Sequence, residues 1–263
     1  GDIVFIFQPA EEIAKGAKEV IKSGVLKNCN YIIGAHVDMH FELPKIIFQE
    51  GPISANSDTF SITFTGKSSH GARPEEGVSP LPALKELLDK LPKLEKKLKS
   101  KTEPCVVSIG EIHAGSSHNI CPGDVQLKGS IRSLSKKKQK KLHTELKEVC
   151  KKMAKKHGLK TKVKITTGAP AIYNDPKLVQ IAKSALGPLI GKKNCKKLEK
   201  PNMGSEDFGE YLKHIPGSFF RIGAKGKKGR FIPAHNPKFY AEDDSIFIGA
   251  ILLATVARTL SKT

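Results

Sequence analysis

The stretch that most restricts the fold lies in the middle of the chain, where the period of the apolar residues keeps switching. Phe60 to Thr65 alternates as a strand does, and Leu81 to Lys99 has helical spacing with lysines on its outer face. Cys105 to His113 and Val125 to Leu134 read as two further strands, joined by a connection that contains Gly and Ser. Lys136 to His157 is a long amphipathic helix with Leu142, Leu146, Val149 and Met153 on one stripe, and Lys162 to Thr166 is a last strand. The order β-α-β-β-α-β is the split βαβ arrangement of a ferredoxin-like domain. Its bounds fall near Asn56 and near Gly168-Ala-Pro170.

Both flanks read differently. The apolar, β-branched run before Pro9 predicts a buried strand that gives way to a helix at Glu11-Glu12, closed near Gly24. Tyr31 to Val37 predicts a second strand. The tail from Asp175 returns to helix and short strand, and Asp244-Ser245 is placed to cap a last buried helix. The fold class is therefore α/β: a catalytic-type sheet domain at residues 1–55 and 169–263, interrupted by a ferredoxin-like α+β insertion at residues 56–168. The apolar run from Ile246 to Ala257 is too short to cross a bilayer and predicts a core helix.

Net charge is +19, yet only five of the 45 basic residues are Arg, and aromatics make up 6% of the chain. Base readout and phosphate forks favour Arg, and base stacking needs aromatic rings. The excess of Lys thus reads as a solvated surface, with no nucleic acid and no membrane as partner. The five cysteines are odd in number and lack C-x-x-C spacing, which argues against a disulfide framework and for a reducing, cytoplasmic setting.

Several polar residues stand where chemistry is done. Paired Glu11 and Glu12 at a strand's C-terminal end allow one carboxylate to hold a metal while the other moves a proton. His36 follows the Ile32-Ile33-Gly34-Ala35 strand, and His235 sits in a Pro-bracketed loop before the last helix. Imidazole with carboxylate suits zinc, manganese or cobalt. Each also fits a plainer role: a helix N-terminus for the Glu pair, a surface or structural histidine for the others. His70 lies in the Gly- and Ser-containing loop Gly66 to Pro74. Asn119 and Arg132 lie near and on the central strands of the inserted block, where a guanidinium serves as an ion-pair partner or a carboxylate clamp. Met203-Gly-Ser-Glu-Asp-Phe208 reads as a polar loop capping a helix.

Taken in order, seven segments resemble the aminoacylase/carboxypeptidase family of dinuclear metallopeptidases, in its N-acyl-amino-acid amidohydrolase branch. They are Phe7-Gln-Pro-Ala-Glu-Glu12, Gly34-Ala-His-Val37, Gly66-Lys-Ser-Ser-His-Gly-Ala72, Ile112-His-Ala-Gly115, Gly129-Ser-Ile-Arg132, Met203 to Phe208 and His235-Asn-Pro-Lys-Phe239. The resemblance implies metal-dependent hydrolysis of the amide bond of N-acyl amino acids, with two divalent ions. By position it makes Glu11 the general base and Glu12, His36 and His235 metal ligands. His70 would stabilise the oxyanion in the other subunit of a homodimer formed through the insertion, and Asn119 and Arg132 would hold the substrate carboxylate. The family's upstream ligand motif, M-H-x-C-G-H-D, has no counterpart here, so the chain is expected to be a fragment lacking some ligands and some strands of the catalytic sheet. Two other readings stay open: an inactive remnant that dimerises or binds a ligand, and a carboxypeptidase or dipeptidase.

Overall fold

A computed structural model describes residues 1–227 and 229–262. In chain order its main elements are α1 (Gly16–Lys22), β1 (Ile32–Glu42), β2 (Ile46–Ile47), β3 (Gly51–Ser54), β4 (Asn56–Thr65), β5 (Ser69–His70), α2 (Leu81–Leu98) and β6 (Cys105–Ala114). There follow β7 (Ile120–Cys121), β8 (Asp124–Ser133), α3 (Lys136–Lys156), β9 (Lys160–Thr167), β10 (Ile172–Asn174), α4 (Pro176–Ile190), β11 (Cys195–Lys196), β12 (Gly217–Lys225) and α5 (Asp244–Leu260). The class is the mixed α/β read from the sequence. The chain divides into two compact units, one of residues 1–54, 172–202 and 206–263, the other of residues 55–171 and 203–205.

The first unit is built on a four-stranded sheet in the order β1-β12-β2-β11. β1 and β12 run parallel, from Ile32 opposite Gly217 to Asp38 opposite Gly223. β12 is buried almost throughout, as a strand covered on both faces must be. One face packs Phe220 and Ile222 against Leu178, Ala182 and Leu186 of α4 and Leu252 and Val256 of α5. A second cluster joins Ala17, Ile32, Ile53, Phe208, Tyr211 and Phe219. α4 starts where Asp175 accepts from the amides of Lys177 and Leu178, with Pro176 as its first residue.

Three expectations for this unit fail. Residues 1–10 form no strand, and Phe5 and Phe7 are 79% and 91% exposed. A strand needs a neighbour for its amides and carbonyls, and no described strand pairs with this run; β1 has β12 on one side and no described strand on the other. The segment is tied down through its ends instead. Gly1 donates to the Ser261 carbonyl at 3.0 Å, and the Gln8 side chain bridges Asp207 and Tyr211. The last helix is not buried all round: Ile246 is 75% exposed while Leu252, Val256 and Leu260 are buried, because only one face meets the sheet. Nor do Asp244 and Ser245 cap it, since the helix begins at Asp244 and Asp243 makes no side-chain cap.

The second unit holds a sheet in the order β6-β8-β4-β9, every pair antiparallel. With α2 after β4 and α3 after β8, the element order is β-α-β-β-α-β, the split βαβ arrangement. β4 alternates strictly: Phe60, Ile62 and Phe64 are buried with Leu87, Leu91, Leu142 and Leu146 of the helices. Asp58 lies on that buried face, fully enclosed. It accepts from Gln139 Nε2 at 2.8 Å, His143 Nε2 at 2.6 Å and the Gly168 amide at 3.3 Å. A buried carboxylate persists only when paired in this way. Here it joins α3 to β4.

Candidate active site

Glu11 and Glu12 sit in a 3-10 turn, Glu11–Ile13, rather than at a helix start; the helix proper begins four residues later. The turn is flanked by Ala10 at φ 57° and Ala14 at φ 52°, both in the left-handed region that costs an L-residue about 1–2 kcal/mol. The third non-glycine residue with such a φ among those described is His235, at 67°. Among the described residues the left-handed strain outside glycine thus falls beside, or on, residues singled out as catalytic or ligating, and strain of this kind concentrates at functional sites. Gly16 is required here: a Cβ would lie 1.7 Å from the Pro9 carbonyl oxygen.

The turn is braced by Asp207, which is 1% exposed and accepts from the Ala17 amide at 3.0 Å and from Gln8 Nε2 at 2.8 Å. Asp207 therefore serves the N-terminus of α1 and not, as its loop suggested, the helical turn it begins; Glu206, at the cap position of that turn, makes no side-chain cap either. Carboxylate oxygens of Glu11, Glu206 and Asp207 lie within 4.8 Å of one another. Burial, with the neighbouring Glu11 charge and a hydrogen bond to Glu11, pushes the Glu206 carboxyl up to about 8. At neutral pH Glu206 therefore holds a proton and shares it with Glu11. Glu206 and Asp207 were missed as site residues. The segment Met203 to Phe208 stands out both as a capping pattern and as one of the seven family-like segments, but neither reading gives its two acids a role in the site.

Glu12 and His235, from opposite ends of the chain, bring Oε2 and Nε2 to 3.9 Å, each side chain 76% exposed. A tetrahedral ion with ligand bonds of about 2.1 Å spaces two donors roughly 3.4 Å apart, so this pair fits one with a shift of about half an ångström. His36 stands within β1 rather than at its end, because the strand runs on to Glu42. Its Nδ1 is 2.6 Å from the Val37 carbonyl, which can only accept, so Nδ1 carries the hydrogen and Nε2 offers a lone pair. The donor atoms of Glu12, His36 and His235 are not gathered within 4.8 Å of one another; the acidic trio is the group that is.

Farther along β1, Asp38 is buried. Burial raises its carboxyl, but hydrogen bonds from the His40 backbone and ring and the Arg221 guanidinium outweigh that and hold it below the usual range.

The remaining predicted residues belong to the second unit. His70 and Asn119 lie side by side where β5 pairs with β7, and the Gly71 amide donates to the Asn119 carbonyl at 2.7 Å. His70 Nδ1 accepts from the Ala72 amide at 3.1 Å, so the exposed ring presents Nε2–H as a donor. Arg132 forms no ion pair among the described residues; its Nη1 donates to the Met203 carbonyl at 3.1 Å and the Ser205 hydroxyl at 3.4 Å.

Residues 1–259 match the sequence profile of peptidase family M20/M25/M40. The chain belongs to this family. Among similar proteins, a probable hydrolase of Synechocystis sp. is 31% identical over 98% of this chain and 66% of its own length. The N-acetylcysteine deacetylase of Bacillus subtilis is 29% identical over the whole of this chain and 67% of its own. Among solved structures, a dinuclear metal-binding peptidase of the M20 family from Bacillus subtilis superposes with a TM-score of 0.82 at 27% identity, covering 98% of this chain and 65% of that one. The chain thus spans about two thirds of the length of the relatives it matches.

Proposed function

We propose that the protein containing this chain is a metal-dependent amidohydrolase that cleaves N-acyl amino acids into a carboxylic acid and a free amino acid. The observation that carries this reading is the meeting of Glu12 with His235 beside Glu11, with left-handed backbone at His235 and at Ala10 and Ala14, which flank the Glu11–Ile13 turn. The N-acetylcysteine deacetylase named among the relatives acts on a substrate of this class.

Glu12, His36 and His235 supply the carboxylate and imidazole donors that suit zinc, manganese or cobalt. A divalent ion bound there would polarise the amide carbonyl and lower the pKa of water towards about 7. Glu11 takes a proton from the attacking water at its carboxylate and returns it to the departing amine. Glu206, pushed up to about 8 by burial and by the Glu11 beside it, holds its own proton at neutral pH and so adds no second negative charge next to Glu11. His70, with Nε2–H exposed, donates to the developing oxyanion in the site of a second copy of the chain, a contribution of about 3 kcal/mol for one such donor. Asn119 and Arg132 take the substrate carboxylate; the two hydrogen bonds of the Arg132 side chain among the described residues both come from Nη1, which leaves Nε and Nη2 to offer N–H groups.

The test is hydrolysis of a panel of N-acetyl amino acids by the protein carrying this chain, with and without a chelator. Metal-dependent release of acetate, lost in Glu11→Gln with metal still bound, is expected; release unaffected by chelation or by that substitution would refute the assignment. Mixing His70→Ala and Glu11→Gln forms, each inactive, should restore activity in hybrid dimers if His70 works across the interface, and should restore none if it does not.

A further inference from the structure

The first unit carries a cavity of about 550 Å³, lined by Asp38, His40, Phe41, Lys45, Leu198 and the lysines, Glu199 and Asn202 of the segment Lys196 to Asn202. Its size lies in the range of small-molecule sites. Four of the lining residues are lysines, against two acids, Asp38 and Glu199. Asp38 is already satisfied. Arg221 Nη1 lies 3.0 Å from one carboxylate oxygen and His40 Nδ1 2.7 Å from the other, while the His40 ring lies tilted by 45° against Phe231, 4.6 Å between centroids. Because the carboxylate only accepts, Nδ1 is the donor, and it is the imidazolium form of His40 that offers a second N–H, at Nε2, to an anionic ligand. The arrangement is the one by which buried carboxylates hold a histidine in a working orientation. Two lysines are likewise engaged, Lys45 by Glu42 at 3.0 Å and Lys197 by Glu50 at 3.6 Å. Lys196 and Lys200 have no ion-pair partner among the described residues, nor has Glu199 between them, so the unpaired groups of the lining keep a net positive charge.

We propose that this cavity binds a phosphate-bearing small molecule, with Lys196, Lys200 and the oriented His40 meeting the phosphate and Phe41 and Leu198 walling its body. Lysine ammonium groups act as point charges on phosphate oxygens, whereas a planar carboxylate is better met by the arginine fork, which the lining lacks. The cavity volume exceeds what a lone oxyanion fills, and the two apolar walls suit an attached carbon skeleton. The site is separate in its residues from Glu11, Glu12, His36 and His235, and the proposal does not rest on hydrolysis.

The experiment is calorimetric titration of the full chain, at low salt and with chelator present, by inorganic phosphate and by glycerol 3-phosphate. Saturable binding is expected, tighter for the monoester, and weakened at least ~10-fold in Lys196→Gln/Lys200→Gln. The control is Lys140→Gln/Lys141→Gln on the exposed face of α3, which removes the same charge elsewhere and should change affinity by no more than ~2-fold. His40→Asn should weaken binding without altering the fold, since Asn still donates towards Asp38. Absence of saturable binding would overturn the proposal. So would equal weakening by both double variants, which would show only the general field of a chain with net charge +19. Equal affinity for the two probes would overturn the claim that the ligand has an organic body.

Discussion

Replacing Glu206 by Gln tests the proton that the acidic cluster is inferred to hold. The carboxyl is moved from an ordinary 4.5 to about 8, first by burial and then by Glu11 and Asp207. Below 4.5 the folded and unfolded chains are both protonated at this position, and the group is neutral to stability. Between 4.5 and 8 the unfolded chain releases the proton while the folded chain keeps it, so the folded chain binds more protons and stability falls as pH rises. Full shielding would make the loss ~5 kcal/mol above pH 8; solvent access to the site and the mutual adjustment of Glu11 reduce it to ~1–2 kcal/mol. Gln is close to isosteric with the protonated acid and cannot ionise, so Glu206→Gln should remove the decline. The chain has no Trp, and its four tyrosines, Tyr31, Tyr173, Tyr211 and Tyr240, all lie in the first unit, so tyrosine fluorescence reports on that unit alone. Tyr211, pushed up to about 12 by burial, stays protonated throughout the range used. We expect urea midpoints, measured with chelator at pH 5 and pH 9, to draw together in Glu206→Gln relative to the parent, the variant being the more stable at pH 9. Parallel losses in the two proteins, or a variant less stable at pH 9, would refute the shared-proton account.

Three further outcomes follow from the packing. Asp58→Ala strands the Gln139 amide, the His143 ring and the Gly168 amide on a buried face and should destabilise the second unit by ~3 kcal/mol, read as faster hydrogen exchange along β4; unchanged exchange would contradict it. Gly16→Ala places a methyl 1.7 Å from the Pro9 carbonyl and must displace the Glu11 turn, so the first unit should lose at least ~2 kcal/mol in the same tyrosine assay; a tolerated substitution would mean that the turn is not fixed where it is described. Cys150, whose thiol burial pushes up to about 12, should resist alkylation at pH 8 until the chain unfolds, whereas native labelling found there by mass spectrometry would show that the α3 core opens.

The second unit was legible because its elements are amphipathic and pair with their own neighbours. The stripe Leu142, Leu146, Met153 is the buried face of α3, and Phe60, Ile62 and Phe64 fill the buried face of β4 as their alternation required. Where an element depends on a distant partner, local pattern said less. Ile3 to Phe7 has the composition of a core strand, but composition does not specify which strand supplies the hydrogen bonds, and among the described residues no strand does. Ile246 and Phe247 continue an apolar run that only Leu252, Val256 and Leu260 bury. At the site, the histidines and the Glu pair were visible as residue types in suggestive places. What was not visible was the work of Asp207 on the Ala17 amide, the proton of Glu206, or the tautomers of His36 and His70. Each of these is set by a contact that exists only once the chain is folded.

The most direct test of the central claim is metal content and turnover measured together on the protein that carries this chain, with Glu12→Ala and His235→Ala beside Glu11→Gln. The account predicts that the first two lose metal and activity together, while Glu11→Gln keeps the metal and loses hydrolysis of N-acetyl amino acids. Full metal binding in Glu12→Ala and His235→Ala, or undiminished hydrolysis in Glu11→Gln, would contradict it.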